Sequence, residues 1–445
     1  MLKPKTRLLE GKGQRLWKKA KTLIPGGNHL LSKRAEMFLP DHWPAYYSKA
    51  KGAYIWDLDG RKLLDMCISG IGACMLGFAD KDVDSAVVKA IKRGQASSLN
   101  VPEEVELAEL LTSIHPWADM VRYGRSGGET MAIAVRIARA HTKKDIVAFC
   151  GYHGWTDWYL ATNLTGKDGL ADHLLKGLDP AGVPQGLKGT VLPFHYNNIE
   201  ELESIVADHP NQIAAIVMEP LHGEEPEDNF LHKVRAIADR IGAVLVYDEI
   251  TMGFRLTQGG SHLLYGVNPD MAIFSKGMGN GYAMSAIIGR REVMQAAQGS
   301  FISSTNWTEA VGPVAALAAI KKMKRVGLQK KLAATGAKVK KLWETIPKKH
   351  GVPVSISGVL PMLFFKFEKE NGQAIKTLFV QEMLQRGILA SNLFYASLAH
   401  TNAHIAEYAR AMDEVFAIIG KSIGEGTVEK KLLGPIAHSG FQRLN

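Results

Sequence analysis

Apolar and polar positions follow two rhythms along this chain. Val83 to Ile91, Val105 to Ile114 and Phe230 to Ile241 place apolar side chains at helical spacing. Among these stretches lie short unbroken apolar runs: Ile146 to Phe149, Ile213 to Val217, Ala243 to Val246 and Met271 to Phe274. Each run is bounded by turn or charged residues. Runs of this kind suit strands covered on both faces. The alternation predicts an α/β fold over residues 80–330, with a mostly parallel central sheet, helices on both faces and a ligand at the carboxyl ends of the strands.

The flanks read differently. A first segment, to about Leu31, has helical spacing and ends at Pro25-Gly26-Gly27. Ala53 to Asp57 alternates, Asp59-Gly60 is a hairpin signal, and Lys62 to Asp65 follows. Beyond 330 a long helix leads to strand signals at Val352 to Ile356 and Leu363 to Phe367, then to a helix over 402–421. Residues 1–79 and 331–445 are expected to form a smaller α+β domain. The tail Gly434 to Arg443 reads as an unstructured end.

Composition narrows the class. With 46% apolar and 22% charged residues in 445, the chain has an ordinary globular make-up. Three cysteines (Cys67, Cys74, Cys150), with no CxxC and no HExxH, argue against a disulfide framework and against the common zinc patterns; no metal is expected. No apolar stretch suits a signal peptide or a membrane span, so a cytoplasmic protein is expected. The net charge of +10 is uneven. Residues 321–349 hold eleven Lys/Arg against Glu344, and residues 1–21 hold eight against Glu10. Those two segments exceed the net charge of the whole, so the remaining body is acidic, which argues against a nucleic-acid partner. The cluster at 321–349 reads as the solvated side of one long helix, with Val326, Leu332, Val339 and Leu342 turned inward. The alternative is a surface that steers anionic substrates.

Three strand ends carry chemistry. Val244 to Tyr247 runs into Asp248-Glu249-Ile250, and a carboxylate there is costly unless something cationic meets it. Met271 to Phe274 runs into Ser275-Lys276-Gly277, where desolvation would leave the lysine a neutral nucleophile. Arg125-Ser126-Gly127-Gly128 opens a helical run, and small residues at a helix N-terminus suit a phosphate. An anion cradle, a carboxylate and an amine on one sheet edge are what pyridoxal phosphate requires. Tyr152, His153 and Trp155, after Ile146 to Phe149, offer an aromatic for its ring.

With these residues the chain resembles the class III aminotransferases of pyridoxal-phosphate fold type I, and is especially similar to glutamate-1-semialdehyde 2,1-aminomutases. The similarity runs through Ile24 to Gly27, Gly52 to Gly60, Ser126-Gly127, Tyr152-His153-Gly154, Met218-Glu219-Pro220, Asp248 to Arg255, Ser275-Lys276-Gly277 and Leu398 to Thr401. The resemblance implies that Lys276 forms the Schiff base and moves the proton, and that Asp248 pairs with the ring nitrogen. It implies that Ile250 and Tyr152 flank the ring, that Ser126, Gly127 and Gly128 hold the phosphate, and that His153 and Glu219 line the site. It also implies that Thr305 reaches the phosphate of a second subunit, hence a homodimer with shared sites. Arg34, Ser98, His222, Glu224, Asn392 and Tyr395 are candidates for the substrate wall.

The departures from the family and aminomutase patterns fall in the phosphate motif and on that wall. Gly128 and Arg125 stand where the family usually has Thr and Asn, and Ile71 and Asn392 stand at positions of an aminomutase Trp and Glu. The expectation is therefore an aminotransferase moving an amino group from an amino-acid donor, such as glutamate, to an aldehyde or ketone. Aminomutase or epimerase chemistry is the alternative on the same cofactor. A non-catalytic binding protein on the same fold is the alternative of another class.

Overall fold

The computed structural model describes residues 10–166, 168–174, 177–221, 223–440 and 444. The chain divides into two compact units, Lys81–Gln329 and a second built from Met1–Asp80 with Lys330–Asn445.

The unit Lys81–Gln329 is an α/β fold around a seven-stranded sheet. Its strands lie in the order Met120–Gly124, Ser285–Gly289, Met271–Phe274, Val244–Asp248, Ile213–Met218, Ile146–Cys150 and Val191–Pro193. The last five of these run parallel. Ser285–Gly289 is antiparallel to both of its neighbours. Val147, Phe149, Val217, Val246 and Ile273 are wholly buried, packed with Met131, Ala134, Ile137 and Ala138 of the helix Gly127–Thr142. Unbroken apolar strands thus sit inside, covered by helices, as the runs predict.

Register decides where the chemistry falls. Cys150 pairs with Met218, Met218 with Tyr247, and Asp248 with Ile273. On the other side Ser285 pairs with Gly124 and Ala286 with Phe274. The carboxyl ends of five strands are therefore level, and every loop leaving them opens on one edge of the sheet.

One of these loops is fixed from beneath by a buried polar cluster. The Glu249 carboxylate is wholly buried and accepts from Ser261 Oγ (2.9 Å), from the His262 backbone N–H (2.9 Å) and from His262 Nδ1 (2.8 Å). Trp117 Nε1 donates to His262 Nε2 at 3.1 Å. His115 Nδ1 donates to the Leu111 carbonyl (2.9 Å), and its Nε2 accepts from the Gly260 N–H (3.0 Å). Each polar atom named has a partner, which is the condition for burying it.

The unit formed by both termini holds two sheets. One orders Tyr47–Lys51, Tyr54–Asp57, Lys62–Met66 and Ile388–Ala390; the other orders Val354–Val359, Met362–Phe367 and Leu393–Tyr395. Helices Lys12–Leu23, Gly372–Gln385 and Asn402–Gly424 belong to it. Two expectations are corrected. The basic cluster lies on two helices, Val311–Val326 and Leu328–Lys349, parted at Gly327, whose φ of 61° is a left-handed helix stop. The tail is pinned through residue 438: Ala437 N–H donates to Thr377 Oγ1 (3.0 Å), His438 N–H to the Glu36 carbonyl (2.7 Å), and Gln373 Nε2 to the Ala437 carbonyl (2.8 Å).

Burial lowers the His115 imidazole from 6.5 to about 4. Between those values the unfolded chain binds a proton that the folded chain refuses. The resulting stabilisation is complete above pH 6.5 and is lost as the pH falls through 4; a shift of that size is worth on the order of 3 kcal/mol. The denaturation midpoint should fall over this window. His115→Leu should be less stable at neutral pH but have a flatter profile, and a profile parallel to the parent's would contradict the assignment.

Candidate active site

The level strand ends bring together, within one unit, the expected amine, carboxylate and anion cradle. Lys276 follows Met271–Phe274 with φ of 38°, a left-handed backbone that a lysine adopts only when its surroundings impose it. Its Nζ donates to Thr251 Oγ1 at 2.8 Å. Burial and the field of Arg255 both lower the amine from its ordinary value; Glu219 and Asp248 oppose this. Arg255 is itself buried, and its Nε donates to the Thr251 carbonyl at 2.6 Å. Thr251 thus holds the amine by its hydroxyl and the guanidinium by its backbone.

Asp248 ends its strand and is 4% exposed, so its carboxylate is cut off from water. Oδ1 accepts the Ile250 N–H at 3.0 Å, and Oδ2 meets His153 Nδ1 at 2.9 Å. His153 Nε2 lies 2.9 Å from the Cys150 carbonyl, which can only accept, so Nε2 carries a hydrogen. A proton is then required between Nδ1 and Oδ2 as well. Burial raises the Asp248 carboxyl, and the His153 hydrogen bond works against that rise. His153, which the resemblance places in the lining of the site, is thus tied to Asp248 and to the Cys150 carbonyl.

The cradle is the start of the helix Gly127–Thr142, with Ser126 as its N-cap. The first turn of an α-helix has N–H groups without intrahelical acceptors and the positive end of the dipole. Close approach explains the glycines. A Cβ at 127 would lie 2.7 Å from Ile250 Cδ1, and one at 128 would lie 3.2 Å from the Trp155 indole. Without side chains at 127 and 128, Ile250 and the Trp155 indole pack directly on the helix start, and backbone N–H groups beside an amine and a carboxylate suit a phosphorylated ring. Tyr152 is half-exposed. Glu219 follows Ile213–Met218 at the same edge and acts electrostatically on both Asp248 and Lys276.

Arg125 does something else. Its guanidinium donates to the Trp307 carbonyl (2.8 Å) and pairs with Glu309 (2.9 Å). It therefore ties the cradle strand to the short segment that carries Thr305. Thr305 is exposed, as is Ser98. Glu224 is exposed in a loop, and His222 lies outside the described residues. Arg34, Asn392 and Tyr395 belong to the other unit. Arg34 lies against Gly26, where a Cβ would be 2.3 Å from its Nη2. The Asn392 amide donates to the Phe365 carbonyl (3.0 Å), and the Tyr395 ring packs edge-on against Phe364. Thr251 is the site residue that sequence reasoning passed over; its only signal was a hydroxyl three residues past Asp248.

Comparisons with known proteins identify the family and the fold. The family model described as Aminotransferase class-III matches residues 39–419. The 3-aminobutyryl-CoA aminotransferase of Cloacimonas acidaminovorans (strain Evry) is 31% identical over 423 residues, covering 92% of this chain and 97% of that protein. Among solved structures, the PLP form of the FumI protein of Sphingopyxis sp. MTA144 superposes with a TM-score of 0.84 at 24% identity, covering 93% of this chain and 98% of that one. An omega-transaminase from Sphaerobacter thermophilus gives 0.80 at 25% identity, covering 92% and 98%.

Gly127→Val tests the cradle. The branched side chain meets Ile250, so pyridoxal phosphate should bind about tenfold or more weakly, read by absorbance titration, while the apoprotein melts near the parent temperature. Undiminished affinity would remove position 127 from the cradle.

Proposed function

The chain belongs to the class-III aminotransferases, pyridoxal-phosphate enzymes of fold type I, and we propose that this member moves an amino group from an amino-acid donor to an aldehyde or ketone, with Lys276 as the amine that holds the cofactor. The observation that carries this reading is the half-buried Lys276 amine and the buried Asp248 carboxylate on one level sheet edge, beside a glycine-rich helix start. When bound, pyridoxal phosphate supplies the aldehyde that exchanges amino groups and the ring that takes up the electron pair left by proton removal.

The residues divide the remaining work. Ser126, Gly127 and Gly128 hold the phosphate. Ile250 and Tyr152 bound the ring. Asp248, oriented by the Ile250 N–H and by His153, is the carboxylate that would pair with the ring nitrogen and hold it protonated. Burial and the nearby cation of Arg255 lower the Lys276 amine, which favours Nζ as the group that accepts and returns the proton taken from the substrate carbon. Glutamate serves as one amino donor in this reading. The relative named for 3-aminobutyryl-CoA supports a second feature: the acceptor is a ketone whose oxo group lies β to a carbonyl, so that its product carries the amine on that β carbon.

The same reading makes the enzyme a homodimer, with Thr305 reaching the partner's cradle. Its support is the exposed Thr305 on a segment anchored by Arg125, with Phe301 four residues earlier 92% exposed.

The purified holoprotein should absorb in the visible and lose that band when given its amine. A panel of α- and β-amino acids identifies the donor by that change. Lys276→Ala should leave no borohydride-reducible cofactor adduct, and Asp248→Ala should lower kcat by about 10²-fold or more. An adduct that persists in Lys276→Ala would end the assignment. Sedimentation at micromolar concentration should give twice the chain mass, whereas a monomer that keeps full activity would refute the shared site.

A further inference from the structure

The amine of Lys276 meets opposing charges. Arg255 acts against its protonation, and Glu219 and Asp248 act for it. These groups face it from the turn after Val244–Asp248, from the end of Ile213–Met218 and from the end of Val244–Asp248 itself. Among the described residues its one hydrogen bond goes to a neutral group, Thr251 Oγ1, at 2.8 Å. An ammonium has three donors and no acceptor, so one formed beside a guanidinium and away from water needs an oxygen to receive it. A hydroxyl does this without adding a charge. It also carries a hydrogen of its own, which it can donate to the amine once that is neutral.

The backbone on both sides of this contact is fixed. The Gly253 N–H donates to the Glu249 carbonyl (2.8 Å) and the Arg255 N–H to the Met252 carbonyl (3.1 Å), which closes a tight turn around Thr251. A Cβ at 253 would lie 2.6 Å from the Glu249 carbonyl oxygen, so the turn closes this far only on a glycine. Glu249 is in turn held by Ser261 and His262. On the other side the Met278 N–H donates to the Ser275 carbonyl at 2.9 Å, across the left-handed Lys276. What stays adjustable is the long lysine side chain, and the Thr251 hydroxyl is where it ends. The carbonyl of the same residue accepts Arg255 Nε at 2.6 Å. One residue therefore places both the group that repels the proton and the group that can receive the ammonium.

In the proposed reaction one nitrogen must be a base at one moment and an acid at the next. Arg255 favours the first role, because a neighbouring cation opposes a second positive charge. We propose that Thr251 serves the second: it is a positioning residue whose hydroxyl receives the protonated Lys276 amine and holds it in place until the proton is delivered. The proton leaves a substrate carbon, joins the Nζ lone pair and departs for a second carbon. Thr251 keeps its own hydrogen throughout and accepts only a hydrogen bond. The inference rests on the reading of Lys276 as the proton carrier.

Trace acetylation with acetic anhydride tests it on the full chain freed of cofactor. The rate at the Lys276 peptide, followed across pH by mass spectrometry, reports the protonation of that amine. Thr251→Val keeps the shape and removes the acceptor, so the midpoint should fall by about one pH unit, a tenfold change in the protonation equilibrium. Thr251→Ser should restore the parent midpoint. In the loaded enzyme Thr251→Val should lower kcat about tenfold with KM unchanged, and Thr251→Ser should recover it. A midpoint that stays or rises in Thr251→Val would overturn the proposal, as would a Thr251→Ser protein that melts like the parent but titrates like the valine variant. Lys276→Ala separates the two levels. A borohydride-reducible adduct that survives in it ends the reading of Lys276, whereas an adduct that depends on Lys276, with a parent midpoint in Thr251→Val, ends only the role of Thr251.

Discussion

A carboxylate buried at the end of a strand is the interaction on which this molecule turns. Asp248 is cut off from water, and an isolated charge there would neutralise rather than persist. His153 opposes that with a hydrogen bond to Oδ2, and the Cys150 carbonyl fixes which way the imidazole faces. The partners come from the ends of two parallel strands, Ile146–Cys150 and Val244–Asp248, on either side of Ile213–Met218, so the pair exists only when the sheet register is correct. In the proposed reaction this prepared carboxylate answers the charge of the ring nitrogen, with little reorganisation left for the moment of reaction.

The rest of the site is arranged around that pair. Level strand ends put the Lys276 amine and the glycine cradle on the same edge as Asp248. Thr251, three residues past the aspartate, turns the amine and Arg255 toward one another. The Glu249 cluster beneath keeps the loop from shifting. A polar network of this type is useful only when complete, since one missing partner leaves a buried group uncompensated.

Much of this was legible in the chain. The four strands read from apolar runs are all buried on both faces, where composition and period speak clearly. Met120–Gly124 was not read because it is half-buried and carries Arg122 and Tyr123. Val191–Pro193 has three residues and a proline at the sheet edge, and Ser285–Gly289 begins and ends in residues that resemble a turn. The break at Gly327 was hidden because apolar spacing continues across it. Lys276, Asp248 and the cradle could be seen because each ends an apolar run with an unusual residue. Thr251 and the clasp of Arg125 on Trp307 could not, because a hydroxyl in a turn and an arginine in a loop are ordinary until distant residues come beside them. The pinned tail is of the same kind: its bonds run to Thr377 and Glu36, far away in the chain.

The account claims that Asp248 keeps the cofactor ring cationic, and the protonation state of the ring nitrogen is the direct measure. Pyridoxal phosphate labelled with ¹⁵N in the ring, bound to the protein and observed by NMR, should report a protonated nitrogen at neutral and mildly alkaline pH. Substitution of Asp248 by alanine should return it to the unprotonated shift. An unprotonated nitrogen in the parent protein, or one whose state ignores residue 248, would contradict the account.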